Sequence, residues 1–183
     1  KEDLHRRFAF RILRALGARP RRLVLGFMAV AALLSMFLSN TATALLLLPV
    51  ALAILDRMEK EEQARLAVPL LLGLAYACSI GGTATPVGTA PNAVLLGQIQ
   101  AHFPQAPAFS FGQWFIGALP FVGFFVVLVW WILTRWMGSV PAEPSPSLSR
   151  MMEEITTLPR RTRNQNRVLV VFMGVVLLWL TRR

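Results

Sequence analysis

The fold is decided by two stretches, Ser39-Asn40-Thr41-Ala42-Thr43 and Gly81-Gly82-Thr83-Ala84-Thr85-Pro86-Val87-Gly88-Thr89-Ala90-Pro91-Asn92. Both are short polar interruptions of long apolar runs. The chain has no Asp, Glu, Lys or Arg between Arg22 and Asp56, and none between Arg65 and Arg135. A soluble domain needs charged residues along its surface helices. Charge-free runs of this length contact lipid or other protein instead, so the sequence predicts an all-α polytopic membrane protein.

The formal charge of +10 does not indicate a nucleic-acid partner. The basic residues flank apolar runs and form no nucleic-acid motif, and this placement is typical of the cytoplasmic side of a membrane protein. We therefore expect an integral protein of a plasma or bacterial inner membrane. The single cysteine, Cys78, is interpreted as a small buried hydrophobe.

The first interruption predicts a re-entrant hairpin over residues 21–56. About thirty-three uncharged residues make roughly 50 Å of helix, too long for one crossing and too short for two. The polar tip Ser39-Asn40-Thr41 divides them into two arms of about fifteen residues, and basic residues at both ends place both ends in the cytoplasm. The alternative is one tilted span with a polar kink.

The second interruption predicts a broken transmembrane helix over residues 66–100. Its three glycines and two prolines are incompatible with a continuous helix. Unwound backbone at membrane depth persists only where it is buried in protein or lines a watery cavity. The remaining segments are predicted as an interfacial amphipathic helix (1–20), a transmembrane helix (114–134), a cytoplasmic loop of low structural content (135–167), and the start of a further span (168–181). Residues 1–20 are also placed in the cytoplasm, and the chain is expected to be a piece of a longer protein.

Two such interruptions in successive segments indicate a transport site near the middle of the membrane. A helix end carries unpartnered N–H or C=O groups and about half a unit charge, so it attracts an anion or a cation. The sequence predicts a cage of neutral oxygens formed by Ser35, Ser39, Asn40 and a carbonyl near Gly88. Such a cage suits sodium. For each hydroxyl alone, the alternative is a bond to its own helix or to a neighbouring helix.

Several chemistries find no support in the sequence. The embedded stretches contain no acidic or basic residue that would relay protons, and the chain has no cluster of metal ligands, no nucleophile–base pair and no phosphate-binding loop. The sequence therefore favours a transporter over an enzyme.

The two motifs, with Ser79-Ile80 preceding the second, resemble those of the divalent anion:sodium symporter family, the dicarboxylate, citrate and sulfate transporters. The resemblance covers nearly the whole chain and implies the N-terminal repeat of an inverted-repeat fold. It also implies a homodimer with an elevator-like movement and a small anionic substrate.

Carried over residue by residue, the resemblance implies sodium ligands at Ser35, Ser39, Asn40 and Gly88, and substrate contacts at Asn40, Thr41 and Thr89. Many relatives have proline at the position of Ala90, so the shape of the loop differs in detail. A sodium-coupled symporter of di- or tricarboxylates is the leading hypothesis. A sodium-independent anion exchanger of the same fold and a non-transporting subunit or degenerate half remain open alternatives.

Overall fold

The protein is described by a computed structural model over residues 17–105, 110–137 and 140–155. Within these ranges every regular element is helical. In chain order the elements are α1 (Pro20–Ser35), α2 (Asn40–Leu55), α3 (Lys60–Gly82), α4 (Ala90–His102), α5 (Phe111–Trp131), a π-helical turn (Ile132–Met137) and α6 (Pro146–Ile155). The predicted segments 1–16 and 168–181, and the last part of the 135–167 loop, lie outside the described residues.

The first predicted hairpin is built from α1 and α2, which are 16 residues each. Pro20 begins α1, where its fixed φ suits the first turn and its missing N–H is not needed. Helices of this length reach about 24 Å, less than a hydrocarbon core of about 30 Å. The chain reverses direction at residues 36–39, so that Pro20 and Met58 line the same cavity at the far end. Which side of a membrane the hairpin opens to stays a prediction.

The core lies where α1 and α2 pack against α3. Large apolar side chains of α1, such as Phe27 and Leu23, are fully buried, as is Leu70 of α3. Near the end of α3 the two backbones come close, because a Cβ at Gly81 would lie 2.5 Å from the Cα of Ala32. Small residues allow this close approach of the backbones. In a membrane, where burial of apolar side chains does not favour one helix partner over lipid, helices associate through such close packing.

The second interruption is shorter in the structure than the sequence suggests. Helix α3 continues through Gly81 and Gly82, and α4 starts at Ala90 with Pro91 in its first turn, so the unwound segment covers residues 83–89. Glycine accepts helical dihedral angles at some cost, and proline is tolerated at a helix start. Helix α3 also begins earlier than the apolar run, at Lys60, because Glu61 and Glu62 favour a helix N-terminus.

Among the described residues, two helices are long and apolar enough to cross a membrane: α3, and α5 with its π-helical extension, Phe111–Trp136. A capping box starts α5, in which the Ser110 hydroxyl accepts from the Gln113 N–H at 3.2 Å and the Gln113 side chain accepts from the Ser110 N–H at 3.0 Å. At its other end the Trp130 indole N–H donates to the Arg21 carbonyl at 2.8 Å. The start of α5 lies at the end of α3, where the Trp114 indole N–H donates to the Thr83 carbonyl. Because α1 runs parallel to α3, with Gly73 beside Met28 and Gly81 beside Ala32, α5 runs antiparallel to both.

The expectation of little structure between 135 and 167 was wrong in part, because α6 lies within it. The Ser145 hydroxyl accepts from the Leu148 N–H at 3.1 Å, and Pro146 follows as the first helical residue, which together start the helix. Leu148 is then buried in the core, and Arg150 forms an ion pair with Glu59 at 3.3 Å. The Pro/Ser-rich segment thus contains an amphipathic helix that packs on the core.

Candidate functional site

Four helix ends meet at the two interruptions. Helices α1 and α3 end there with their carbonyl groups, at Ser35 and Gly82, while α2 and α4 begin there with their N–H groups, at Asn40 and Ala90. No acidic residue occupies the first turn of α2 or α4, and no basic residue occupies the last turn of α1 or α3. The partial charges of these helix ends are therefore not neutralised by neighbouring side chains on the same turns.

A group of three oxygens shares one proton at the end of α1. The Ser35 hydroxyl is completely buried and lies 2.7 Å from Oδ1 of Asn40 and 2.6 Å from the carbonyl oxygen of Cys78. A serine hydroxyl has one hydrogen to donate, so it cannot satisfy both acceptors at once. With the Asn40 amide oxygen turned toward Ser35, lone pairs outnumber protons at this point. A cation bound among these oxygens would balance that excess.

The unwound segment adds a further oxygen to this group. A Cβ at Gly82 would lie 2.5 Å from Oδ1 of Asn40 and 3.5 Å from the carbonyl oxygen of Gly88. Both oxygens therefore surround the same small volume, which only a glycine at position 82 leaves open. Among the described residues no hydrogen-bond donor engages the Gly88 carbonyl, although Gly88 is buried. This carbonyl is free to contact a ligand.

Three of the four predicted sodium ligands, Ser35, Asn40 and Gly88, are thus brought together by the structure. The side chain of the fourth, Ser39, is exposed and accepts from the Ala42 N–H at 3.2 Å, so it serves as the N-cap of α2. That bond uses one of the two lone pairs of its oxygen and leaves the other available.

The residues predicted to touch substrate lie at the helix N-termini. Thr41 is exposed in the first turn of α2, and Thr89 is the residue before α4, where its side chain forms no capping bond. Asn40 is partly exposed and borders both the oxygen group and the outer surface. These positions face the positive ends of two helix dipoles, an environment that favours a carboxylate.

Other residues that hold the site were not singled out from the sequence. The buried Asn92 side chain donates to the Gly82 carbonyl at 2.9 Å and to the Thr85 carbonyl at 2.8 Å. The fully buried Thr85 hydroxyl in turn donates to the carbonyl of Met36 in the hairpin tip. The Trp114 indole N–H donates to the Thr83 carbonyl at 3.0 Å. These donors satisfy carbonyls that the end of α3 and the hairpin tip would otherwise leave unpartnered.

A second buried hydroxyl, that of Thr43, lies close to the tip. Thr43 lies one turn along α2 from Asn40, is fully buried, and its Oγ1 has no hydrogen-bond partner among the described residues. In the same ranges no group of three or more His, Cys, Asp or Glu residues is placed to hold a metal ion. Cation binding at this site would therefore use neutral oxygens, which suit a monovalent ion better than a transition metal.

Helix ends that meet inside an apolar helical protein, with no charged side chain on the same turns, are typical of the binding sites of secondary transporters. Comparison with known proteins specifies the family. The model of the citrate transporter family matches residues 1–182. The chain belongs to this family, within the divalent anion:sodium symporters, and the members that it resembles are transporters and not enzymes.

Three curated relatives of this family align with nearly the whole chain. It is 32% identical to the sodium-dependent high-affinity dicarboxylate transporter 3 of Caenorhabditis elegans, covering 100% of this chain and 35% of that protein. It is 32% identical to the Na(+)/citrate cotransporter of Rattus norvegicus, covering 98% and 41%. The sodium-dependent dicarboxylate transporter SdcS of Staphylococcus saprophyticus is 33% identical, with 98% and 36% covered. The chain thus spans between about a third and two fifths of these relatives.

Proposed function

We propose that the full-length protein couples sodium entry to the uptake of a di- or tricarboxylate, and that this chain supplies one half of the transport site. The observation that carries the proposal is the group formed by Ser35, Asn40 and the Cys78 carbonyl, in which one proton serves two acceptors. A sodium ion there, with the free Gly88 carbonyl as a further ligand, balances the excess of lone pairs.

The anion is assigned to the N-termini of the other two helices whose ends meet at this site. The N-termini of α2 and α4 offer N–H groups and a positive partial charge. They lie beside the proposed sodium ligands, which we call the cation cage: the side chains of Ser35 and Asn40 and the carbonyls of Cys78 and Gly88. Asn40 contacts both ligands in this proposal, while Thr41 and Thr89 contact the substrate. Sodium bound a short distance away strengthens the attraction for a carboxylate, since two opposite charges interact by about 4 kcal/mol at 4 Å near a protein surface. This is the physical origin of the coupling.

The rest of the site is assigned to a second, inverted repeat beyond this chain. The relatives are named as sodium-dependent dicarboxylate and citrate transporters, and this chain corresponds to roughly a third or more of each. We propose a re-entrant hairpin for α1 and α2, a homodimer, and a plasma or bacterial inner membrane, with residues 1–20 and 135–167 on the cytoplasmic side.

Uptake by the full-length protein in proteoliposomes tests the proposal. Labelled succinate, citrate and sulfate are supplied with an inward sodium gradient or with choline in its place. Accumulation of at least one carboxylate that requires sodium is the expected result. Uptake at the same rate in choline would refute sodium coupling and would support the anion-exchanger alternative, and absence of uptake in both salts would support a non-transporting protein.

The matched variant is Asn40→Ala in the same full-length protein. Because Asn40 is proposed to contact both sodium and substrate, its loss is expected to abolish uptake while the protein remains in the membrane. Ser79→Ala is the control, since the Ser79 hydroxyl is exposed and bonds back to Ala75 of its own helix at 3.4 Å. Normal uptake by Asn40→Ala would show that the hairpin tip is not part of the transport site.

A further inference from the structure

The first turn of α4 is tied to the cation cage by a single buried side chain, Asn92. It lies two residues into α4 and is 8% exposed. Its amide group donates one hydrogen bond to the Gly82 carbonyl at 2.9 Å and another to the Thr85 carbonyl at 2.8 Å. Both hydrogens of the amide are therefore used across the unwound segment.

Each of these two bonds ends on a residue that lies next to the proposed sodium ligands. The first ends on Gly82, where a Cβ would lie 2.5 Å from Oδ1 of Asn40 and 3.5 Å from the carbonyl oxygen of Gly88. The second ends on Thr85, whose hydroxyl donates to the Met36 carbonyl, next to Ser35 in the chain. Because of these two Asn92 bonds, displacement of α4 would also move oxygens of the cage.

The packing of α4 makes this link important. Asn92 is the only buried residue of α4, and the helix otherwise exposes apolar side chains such as Val94 and Leu95. Within the part of the chain that the structure describes, α4 makes no extensive contact with another helix. Within the described residues, its first turn is thus held to the cage by the hydrogen bonds of one side chain and by chain connectivity.

We infer that Asn92 is a positioning residue that couples the cation cage to the anion-binding N-terminus of α4. Sodium bound to the Asn40 and Gly88 oxygens fixes the unwound segment, and the two Asn92 bonds transmit that order to α4. The anion then binds a helix end that is already in place. The inference deepens the proposed function and rests on it, because it assumes that the two ligands are sodium and a carboxylate.

The experiment measures the linkage between the two ligands in the purified full-length protein. The dissociation constant of labelled succinate or citrate, whichever carboxylate the wild type takes up, is determined at saturating sodium and at low sodium balanced by choline. The ratio of the two constants is the coupling factor. Linkage between sites is usually about 5- to 150-fold, and we expect the wild type to fall in this range.

The test variant is Asn92→Leu, which keeps the branched shape of the side chain and removes both donors. We expect the coupling factor to fall at least about fivefold, toward one, because each lost bond is worth about 1 kcal/mol and 1.4 kcal/mol is a factor of ten. Thr85→Val is the second variant. It removes the bond to Met36 at nearly constant volume, and it tests the same linkage if Asn92→Leu fails to fold. Gln98→Leu, an exposed amide on the same helix, is the control and should leave the factor unchanged.

The outcomes separate the two proposals. A wild type whose affinity for the carboxylate is independent of sodium would overturn the proposed function, and the inference with it. A wild type with strong coupling, and an Asn92→Leu variant that weakens binding equally at both sodium concentrations, would overturn only the inference, because that pattern is a structural effect without coupling. Loss of coupling in Asn92→Leu or in Thr85→Val, with Gln98→Leu like the wild type, supports it.

Discussion

Removal of the Ser35 hydroxyl tests the cation cage at its most buried point. Ser35 is 0% exposed, and its oxygen lies 2.7 Å from Oδ1 of Asn40 and 2.6 Å from the Cys78 carbonyl. Ser35→Ala deletes one proposed sodium ligand and leaves the other oxygens without their shared proton. The loss of a buried partner of this kind costs about 1–3 kcal/mol, which corresponds to an increase of about 5- to 150-fold in the sodium concentration for half-maximal uptake.

The assay is sodium-dependent uptake by the full-length protein in proteoliposomes, over a range of sodium that reaches saturation of the variant. Because the other cage oxygens remain, the maximal rate should recover at high sodium while the half-maximal concentration stays raised. Ser79→Ala, which removes an exposed hydroxyl from α3, is the control and should behave as the wild type. An Ser35→Ala variant with an unchanged sodium dependence would refute the cage, since the hydroxyl would then be a structural bond only.

Two further predictions concern the packing that supports the site. Gly81→Ala should lower the melting temperature of the full-length protein by several degrees, because its Cβ would collide with the Ala32 backbone and overpacking costs about 1–3 kcal/mol. Gly73→Ala should have a smaller effect, since its Cβ would meet the flexible Met28 side chain at 3.1 Å and Val24 Cγ1 at 3.4 Å but no backbone atom. Equal melting of both variants would contradict the close contact of α1 and α3. Trp114→Phe removes the donor to the Thr83 carbonyl and should raise the half-maximal sodium concentration severalfold at constant expression. An unchanged sodium titration would show that α5 does not hold the unwound segment.

The architecture around the site follows largely from local features of the sequence. The charge-free runs and the polar tip predict two helices of about the length found for α1 and α2. The spacing of Ser35 from the tip places its hydroxyl in the same region, and the structure brings it to Asn40. Helix length, breaks and one-turn spacing can be read from the sequence because they depend on residues close together in the chain.

Other parts of the site depend on tertiary contacts that periodicity does not encode. The bond from Thr85 to Met36 joins residues 49 positions apart, and that from Trp114 to Thr83 joins residues 31 apart. The role of Cys78 is that of its backbone carbonyl, so its side chain type carries no signal. Helix α6 is a different case, since Ser145-Pro146 is a local helix start that the Pro/Ser-rich composition concealed.

The most direct test of the central claim is the structure of the full-length protein determined once in sodium and once in choline. The account predicts a density peak in sodium, absent in choline, within contact distance of Ser35 Oγ, Asn40 Oδ1 and the Gly88 carbonyl oxygen. A cage without such a peak in saturating sodium, while the protein still transports its carboxylate, would contradict the account.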